Sequence, residues 1–189
     1  GKVAGVSPYI GDLEEGLNGR CAPRDVETMF QLIHLAFTAP NQNEDLYQAY
    51  LSRLRAYFKN VLENPMNYFY NERVKFISQD HPRASGYPTE KEFDEVEFEE
   101  AFRIYKERFS NAGDFTFVIV GNFDPENMKS MLTRYVASLP SAESSENFKD
   151  TGIRPPSGVA KKEVFRGNDP KSLVYMYFHN DYEFDRKTN

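Results

Sequence analysis

Apolar positions along the first 140 residues change between strand-like and helix-like spacing, and that change divides the chain into predicted elements. Val3, Val6, Tyr9 and Ile10 lie before Gly11-Asp12, and Leu13 and Leu17 lie after it, which predicts a hairpin over residues 2–21. Pro23 tolerates a first helical turn, where its missing N–H costs nothing, and Asp25 and Glu27 place negative charge at the positive end of the helix dipole. A helix over about 24–37 follows, with Val26, Met29, Phe30, Ile33 and Phe37 in one stripe, and Thr38-Ala39-Pro40-Asn41 ends it. A second helix over about 44–60 carries Tyr47, Tyr50, Leu51, Leu54, Phe58 and Val61 on one face. Its Arg53, Arg55 and Lys59 turn outward or lie near its C-terminal end.

Pro65 opens a third predicted helix that runs to about Ile77, and 81–88 reads as an irregular loop. Acidic residues from Glu90 to Glu100 lead into a helix lined by Phe98, Phe102, Tyr105 and Phe109, with Arg103, Lys106 and Arg108 in its last turn. Phe115-Thr116-Phe117-Val118-Ile119-Val120 is β-branched and aromatic throughout, which predicts a strand placed centrally in a sheet. Asp124-Pro125-Glu126 then supplies an N-cap and a proline at the first helical position of a helix reaching Leu139, where Pro140 stops it.

Residues 141–158 are rich in Ser, Glu, Pro and Gly and read as a linker, so the expected organisation is a module over 1–140, a linker over 141–158 and the opening strands of a further module over 159–189. Those strands are expected at 160–166 and 172–179 about a Gly167-Asn168-Asp169-Pro170 turn. Cut from the rest of its module, strand 172–179 would expose an edge able to pair with another copy.

Composition narrows the function classes. At 189 residues, 40% hydrophobic and with 16 Phe and 12 Tyr, the chain can bury a core without covalent staples. Cys21 is the only cysteine, which excludes an intrachain disulfide and a multi-cysteine metal site. The net charge of −6 argues against a nucleic-acid partner, whose phosphates need clustered Lys and Arg. No run of about 18 apolar residues is present, so no membrane span is expected.

Candidate chemistry is sparse. Imidazole is a common metal ligand, yet His34, His81 and His179 are separated by tens of residues. His34 is followed by Leu35-Ala36-Phe37-Thr38, so neither His-x-x-Glu-His nor His-Glu-x-x-His can form, and it reads as a packed or capped histidine. The acidic run Glu90, Glu92, Asp94, Glu95, Glu97, Glu99 and Glu100 lacks the alternating ligands and central glycine of a calcium loop and reads as a solvated helix face. Gly121-Asn122 has too few glycines to cradle a phosphate. Cys21 with His34 shows no orienting third group for a thiol nucleophile, and no Gly-x-Ser-x-Gly elbow occurs.

The order of segments, with Glu15-Gly16-Leu17-Asn18-Gly19 leading into 25–38, Tyr105-Lys106-Glu107-Arg108-Phe109, 114–124 and Ala137-Ser138-Leu139-Pro140, resembles the M16 (pitrilysin-type) zinc metallopeptidase family. The likeness covers 2–140 and, more loosely, 159–180, and is to the third module of large bacterial members with two homologous halves. It implies an α+β fold of the LuxS and mitochondrial-processing-peptidase type, an antiparallel sheet with helices packed on one face, here without the module's first strands and helix. In such proteins a His-x-x-Glu-His helix of the first module binds zinc, and the other modules enclose a chamber for a peptide substrate. That motif is not in this chain, and the Arg and Tyr pair that contacts the substrate carbonyl would fall beyond Asn189, so no catalytic, cofactor-binding or metal residue is carried over. The resemblance therefore implies a non-catalytic scaffold beside the other modules of a zinc-containing parent in the periplasm or cell envelope. It equally allows a parent that is an inactive relative acting as an assembly or binding subunit, and a zinc motif upstream would separate the two.

Overall fold

The structure is a computed structural model that describes residues 1–143, 147 and 149–180. It divides into two compact units, Gly1–Leu51 with Asp94–Asp150, and Ser52–Phe93 with Thr151–Asn189.

In the first unit the predicted hairpin forms as β1 (Ala4–Ile10) and β2 (Glu15–Cys21), antiparallel in a register running from Ala4 opposite Cys21 to Ile10 opposite Glu15. The Gly11 N–H closes the turn by donating to the Glu14 carbonyl at 2.7 Å. Ala22 N–H donates to the Val3 carbonyl at 2.8 Å, and the buried Asp25 carboxylate accepts from Val3 N–H at 2.8 Å. This pair of bonds joins the entry of β1 to the start of the next helix and satisfies a polar group that burial would otherwise penalise. After a 3-10 turn at Pro23–Asp25, α1 (Val26–Thr38) buries Met29, Phe30, Ile33 and Phe37, the stripe read from the sequence.

That stripe meets α5 (Phe98–Arg108) and the residues after it. Phe37 lies edge-on to Phe109 and Phe115 at 5.3 and 4.9 Å between ring centroids, and Tyr105 stacks on Phe109 at 4.6 Å. The Tyr105 hydroxyl donates to the Ala36 carbonyl at 2.9 Å, so the ring fills the core while its polar end is satisfied. The first half of α2 (Glu44–Val61) joins here through Tyr47, 5.0 Å from Phe98. Helix α6 (Pro125–Met131) starts as predicted, with the Asp124 carboxylate accepting from Asn127 N–H at 2.8 Å and Pro125 at the first helical position.

Two expectations for this unit change. The helix after Asp124 does not stay α-helical to Leu139, because Leu132–Val136 forms a π-helical turn in which Ala137 N–H reaches the Leu132 carbonyl at 2.8 Å. The wide turn sets Tyr135 over α1. Its carbonyl accepts from His34 Nδ1 at 3.0 Å, its hydroxyl donates to Glu27 at 2.8 Å, and its ring stacks on Phe30 at 6.4 Å. Residues 115–120 do not join the sheet as a central strand; among the described residues the sheet has two strands, β1 and β2. The segment is extended at Phe115, and its burial alternates, with Phe115, Phe117 and Ile119 against the core and Val118 and Val120 80% and 91% exposed. It has the side-chain periodicity of a strand and lacks a ladder among the described residues.

In the second unit, α3 (Pro65–Ile77) is capped by Asn64, whose side chain accepts from Met66 and Asn67 N–H. It ends where Gln79 and Asp80 turn into the left-handed region, both at φ 54°. The buried Asn71 side-chain oxygen Oδ1 accepts from Tyr87 N–H at 2.8 Å and so fixes the 81–88 loop. Phe58, Tyr87 and Phe93 cluster beside that loop. Thr89 and Glu92 cap the start of α4 (Glu90–Asp94) reciprocally, Thr89 N–H donating to Glu92 at 2.7 Å and Glu92 N–H to the Thr89 hydroxyl at 3.3 Å. Those hydrogen bonds hold the Glu92 carboxyl below its ordinary value.

The hairpin expected from 160–166 and 172–179 is not paired among the described residues. These segments instead bind α3 one side chain at a time. Lys162 reaches Glu72 at 2.7 Å, Arg166 sits over the Tyr68 ring at 5.1 Å, and Arg73 lies between Tyr70 and Tyr175 at 4.9 and 4.5 Å. The Lys162 contact holds the Glu72 carboxyl below its ordinary value. Because the folded value is depressed, the stabilisation is present above the unfolded carboxyl range and is lost as pH falls through the folded value. Lys162→Met is thus expected to lower stability by about 0.5 kcal/mol at pH 7, with the difference from the parent vanishing at low pH in urea denaturation.

Candidate functional site

Between β2 and residues 114–123 lies a groove of about 490 Å³. Met29, Phe30 and Ile33 of α1 line it, with Leu17 and Cys21 of β2 and Phe117 and Ile119 of the extended segment. One edge of β2 is taken by β1 along its whole length. On the other side of the groove, no hydrogen bond engages the backbone of Thr116–Val120 among the described residues. The groove therefore combines an apolar floor with backbone walls.

Among the described residues the histidines are each engaged separately rather than gathered into one cluster. His34 is spent on the Tyr135 carbonyl. His81 Nδ1 accepts from Arg83 N–H at 3.2 Å, and His179 Nε2 donates to the Pro156 carbonyl at 3.1 Å. Among the described residues no three His, Cys, Asp or Glu side chains come together as a metal could use them. A zinc ion of the kind the family implies does not fit this donor set, which offers single imidazoles already bonded to backbone. Burial, and then the Asp25 carboxylate, push the Cys21 thiol above its ordinary value, which disfavours the thiolate that nucleophilic or metal chemistry requires.

Part of the acidic run is engaged in local structure, and Glu107 beyond it shares a partner with Glu100. Glu92 caps α4, and Glu100 and Glu107 both pair with Arg103, at 2.7 and 2.9 Å. No helix among the described residues is long and apolar enough to cross a membrane. The groove itself was not among the sequence candidates. Its signal was present in the prediction that 115–120 is a central strand, since such a strand needs a neighbour on each side.

The family model described as the Peptidase M16 inactive domain matches residues 88–187. The chain is also 22% identical over 177 residues to a protein of Haemophilus influenzae named as a probable zinc protease, PqqL, an alignment that covers 93% of this chain and 18% of that relative. The chain thus spans less than a fifth of the relative's length. No solved structure gives a significant match. A family match over more than half of the chain, on an α+β framework whose helices carry the predicted stripes, places this protein in the M16 peptidase family, within the region described as its inactive domain.

Proposed function

We propose that the chain is a non-catalytic scaffold segment of an M16-type zinc endopeptidase and that it contributes to the wall of the chamber in which the longer protein cleaves peptides. The match to the inactive domain over 88–187 carries this reading. It is supported by the similarity to a probable zinc protease and by histidines too far apart in sequence to form a His-x-x-Glu-His site. The zinc would be held by residues outside this chain, and the work of this segment is to present a rigid surface built on α1, α5 and the hairpin.

The 189-residue protein is expected to bind less than a tenth of an equivalent of zinc, on the order of background for a chain without paired ligands, and to leave an unstructured peptide uncut. The longer protein is expected to bind one zinc and to cleave. Stoichiometric zinc in the short chain, lost on His34→Ala, would overturn the proposal. A longer protein without zinc or cleavage would replace it with an assembly or binding subunit.

A further inference from the structure

We propose that Asn18-Gly19 in β2 is a site of spontaneous covalent modification: the Gly19 amide nitrogen attacks the Asn18 side-chain carbonyl carbon, ammonia leaves, and water opens the resulting cyclic imide to aspartate or isoaspartate. The Gly19 N–H proton passes to a solvent base, the departing side-chain nitrogen takes up a proton to leave as ammonia, and one water is consumed. The inference stands apart from the peptidase reading, since it needs only this chain and water.

The sequence supplies the pair once. Every other asparagine before the C-terminal Asn189 is followed by a residue that bears a side chain, which crowds the approach of the following nitrogen, whereas glycine presents no Cβ. Packing gives a reason for a glycine at this position, because a Cβ at Gly19 would lie 3.3 Å from the Met29 sulfur of α1.

The phase of the hairpin decides which backbone groups are held. Antiparallel ladders alternate hydrogen-bonded and non-hydrogen-bonded pairs. The bonds from Ala22 N–H to the Val3 carbonyl and from Gly11 N–H to the Glu14 carbonyl set that phase from the two ends. They make Ser7 and Asn18 a bonded pair and leave Val6 opposite Gly19 unbonded. Pro8 agrees with this assignment: it has no N–H to give, and it stands opposite Leu17 in an unbonded pair. The Gly19 N–H therefore points away from β1, toward the groove that Gly19 lines, and it has no hydrogen-bond partner there among the described residues. Asn18 is exposed. Turning the peptide plane between the two residues, so that the nitrogen comes behind the Asn18 side chain, breaks one ladder bond at the Asn18 carbonyl and none at the Gly19 nitrogen. The φ freedom of glycine absorbs the turn.

Isoaspartate routes the backbone through the former side chain and so lengthens it by one methylene. Gly5 opposite Arg20 and Val3 opposite Ala22 then fall out of register, and the Val3 N–H bond to Asp25, which ties the hairpin to the start of α1, is lost with them.

Incubation of the 189-residue protein at mildly alkaline pH, with peptide mapping by mass spectrometry over time, tests this. A gain of roughly 1 Da is expected at Asn18 before any other asparagine. A peptide of residues 15–21 in the same buffer gives the rate without the fold. The folded protein is expected to react no more than about 30-fold more slowly, the reach of one lost ladder bond with local strain. Asn18→Gln, whose longer side chain closes a larger ring far more slowly, should keep the fold and lose the reaction. A greater slowing assigns the reaction to opening of the whole hairpin and overturns the inference, as does modification that begins at another asparagine. The isoaspartyl form, separated by its added negative charge, is expected to unfold at lower urea than Asn18→Gln incubated in parallel; equal midpoints overturn the loss of register.

Discussion

Phe109→Ala is expected to destabilise the first unit by about 3–5 kcal/mol, the range for removing a fully buried phenylalanine whose surroundings cannot collapse. Phe109 is 1% exposed and touches three other rings, Phe37, Tyr105 and Phe115, which come from α1, α5 and the extended segment. None of these can move inward without leaving its own partners, so the cavity persists. A chemical denaturation curve measures the loss directly. Val118→Ala, at a position 80% exposed, serves as the control and should change stability by less than about 0.5 kcal/mol. A loss below about 1 kcal/mol for Phe109→Ala would mean that this aromatic group is not the centre of the core.

Gly86→Ala is expected to cost the second unit about 3 kcal/mol, by two routes that add. Gly86 has φ 89°, a left-handed conformation that side-chain-bearing residues reach only with strain. A methyl group there would also be driven into the Asn71 side-chain oxygen. That oxygen is the acceptor for Tyr87 N–H, and Asn71 is 3% exposed, so displacing it leaves buried polar atoms unpaired at a cost of about 1–3 kcal/mol. The two routes separate in a double-mutant cycle. In an Asn71→Ala background the clash is gone, and Gly86→Ala should then cost only about 1 kcal/mol, the backbone strain alone. Strictly additive losses in thermal or urea melts would show that the two residues do not act on one another.

The elements that could be read from the sequence are those whose information is local. Pro23, Asn64-Pro65 and Asp124-Pro125 mark helix starts because capping and a missing N–H act within three or four residues. The α1 stripe could be read because Met29, Phe30, Ile33 and Phe37 share a face by helical geometry alone. The ladder of 115–120 could not, because period-two burial shows that a segment is extended and says nothing of which backbone lies beside it. Residues 160–166 and 172–179 mislead in the same way. Their apolar alternation suits a hairpin, while Lys162, Arg166 and Tyr175 attach them to α3.

At the candidate site, the absence of zinc-ligand spacing was legible because a metal motif on one helix is a matter of intervals between letters. The groove was not, since it exists only once β2 and 114–123 are placed on the same helix face. The engagement of His34 by Tyr135 was equally hidden. It depends on a turn that departs from α geometry a hundred residues further along the chain.

That turn sets the phase of everything downstream of it. A π-helical turn holds one residue more than an α turn, and each residue of an α-helix advances the chain by about 100° around its axis. Without that extra residue, the side chains after Val136 would rotate by roughly that angle, and Leu139, now among the buried residues packed with Phe30 and Phe109, would point along the surface. The single supernumerary residue thus acts as an angular offset that aims the end of the helix, so that Pro140 can take Ala112 N–H at 2.8 Å and return the chain to the start of the extended segment.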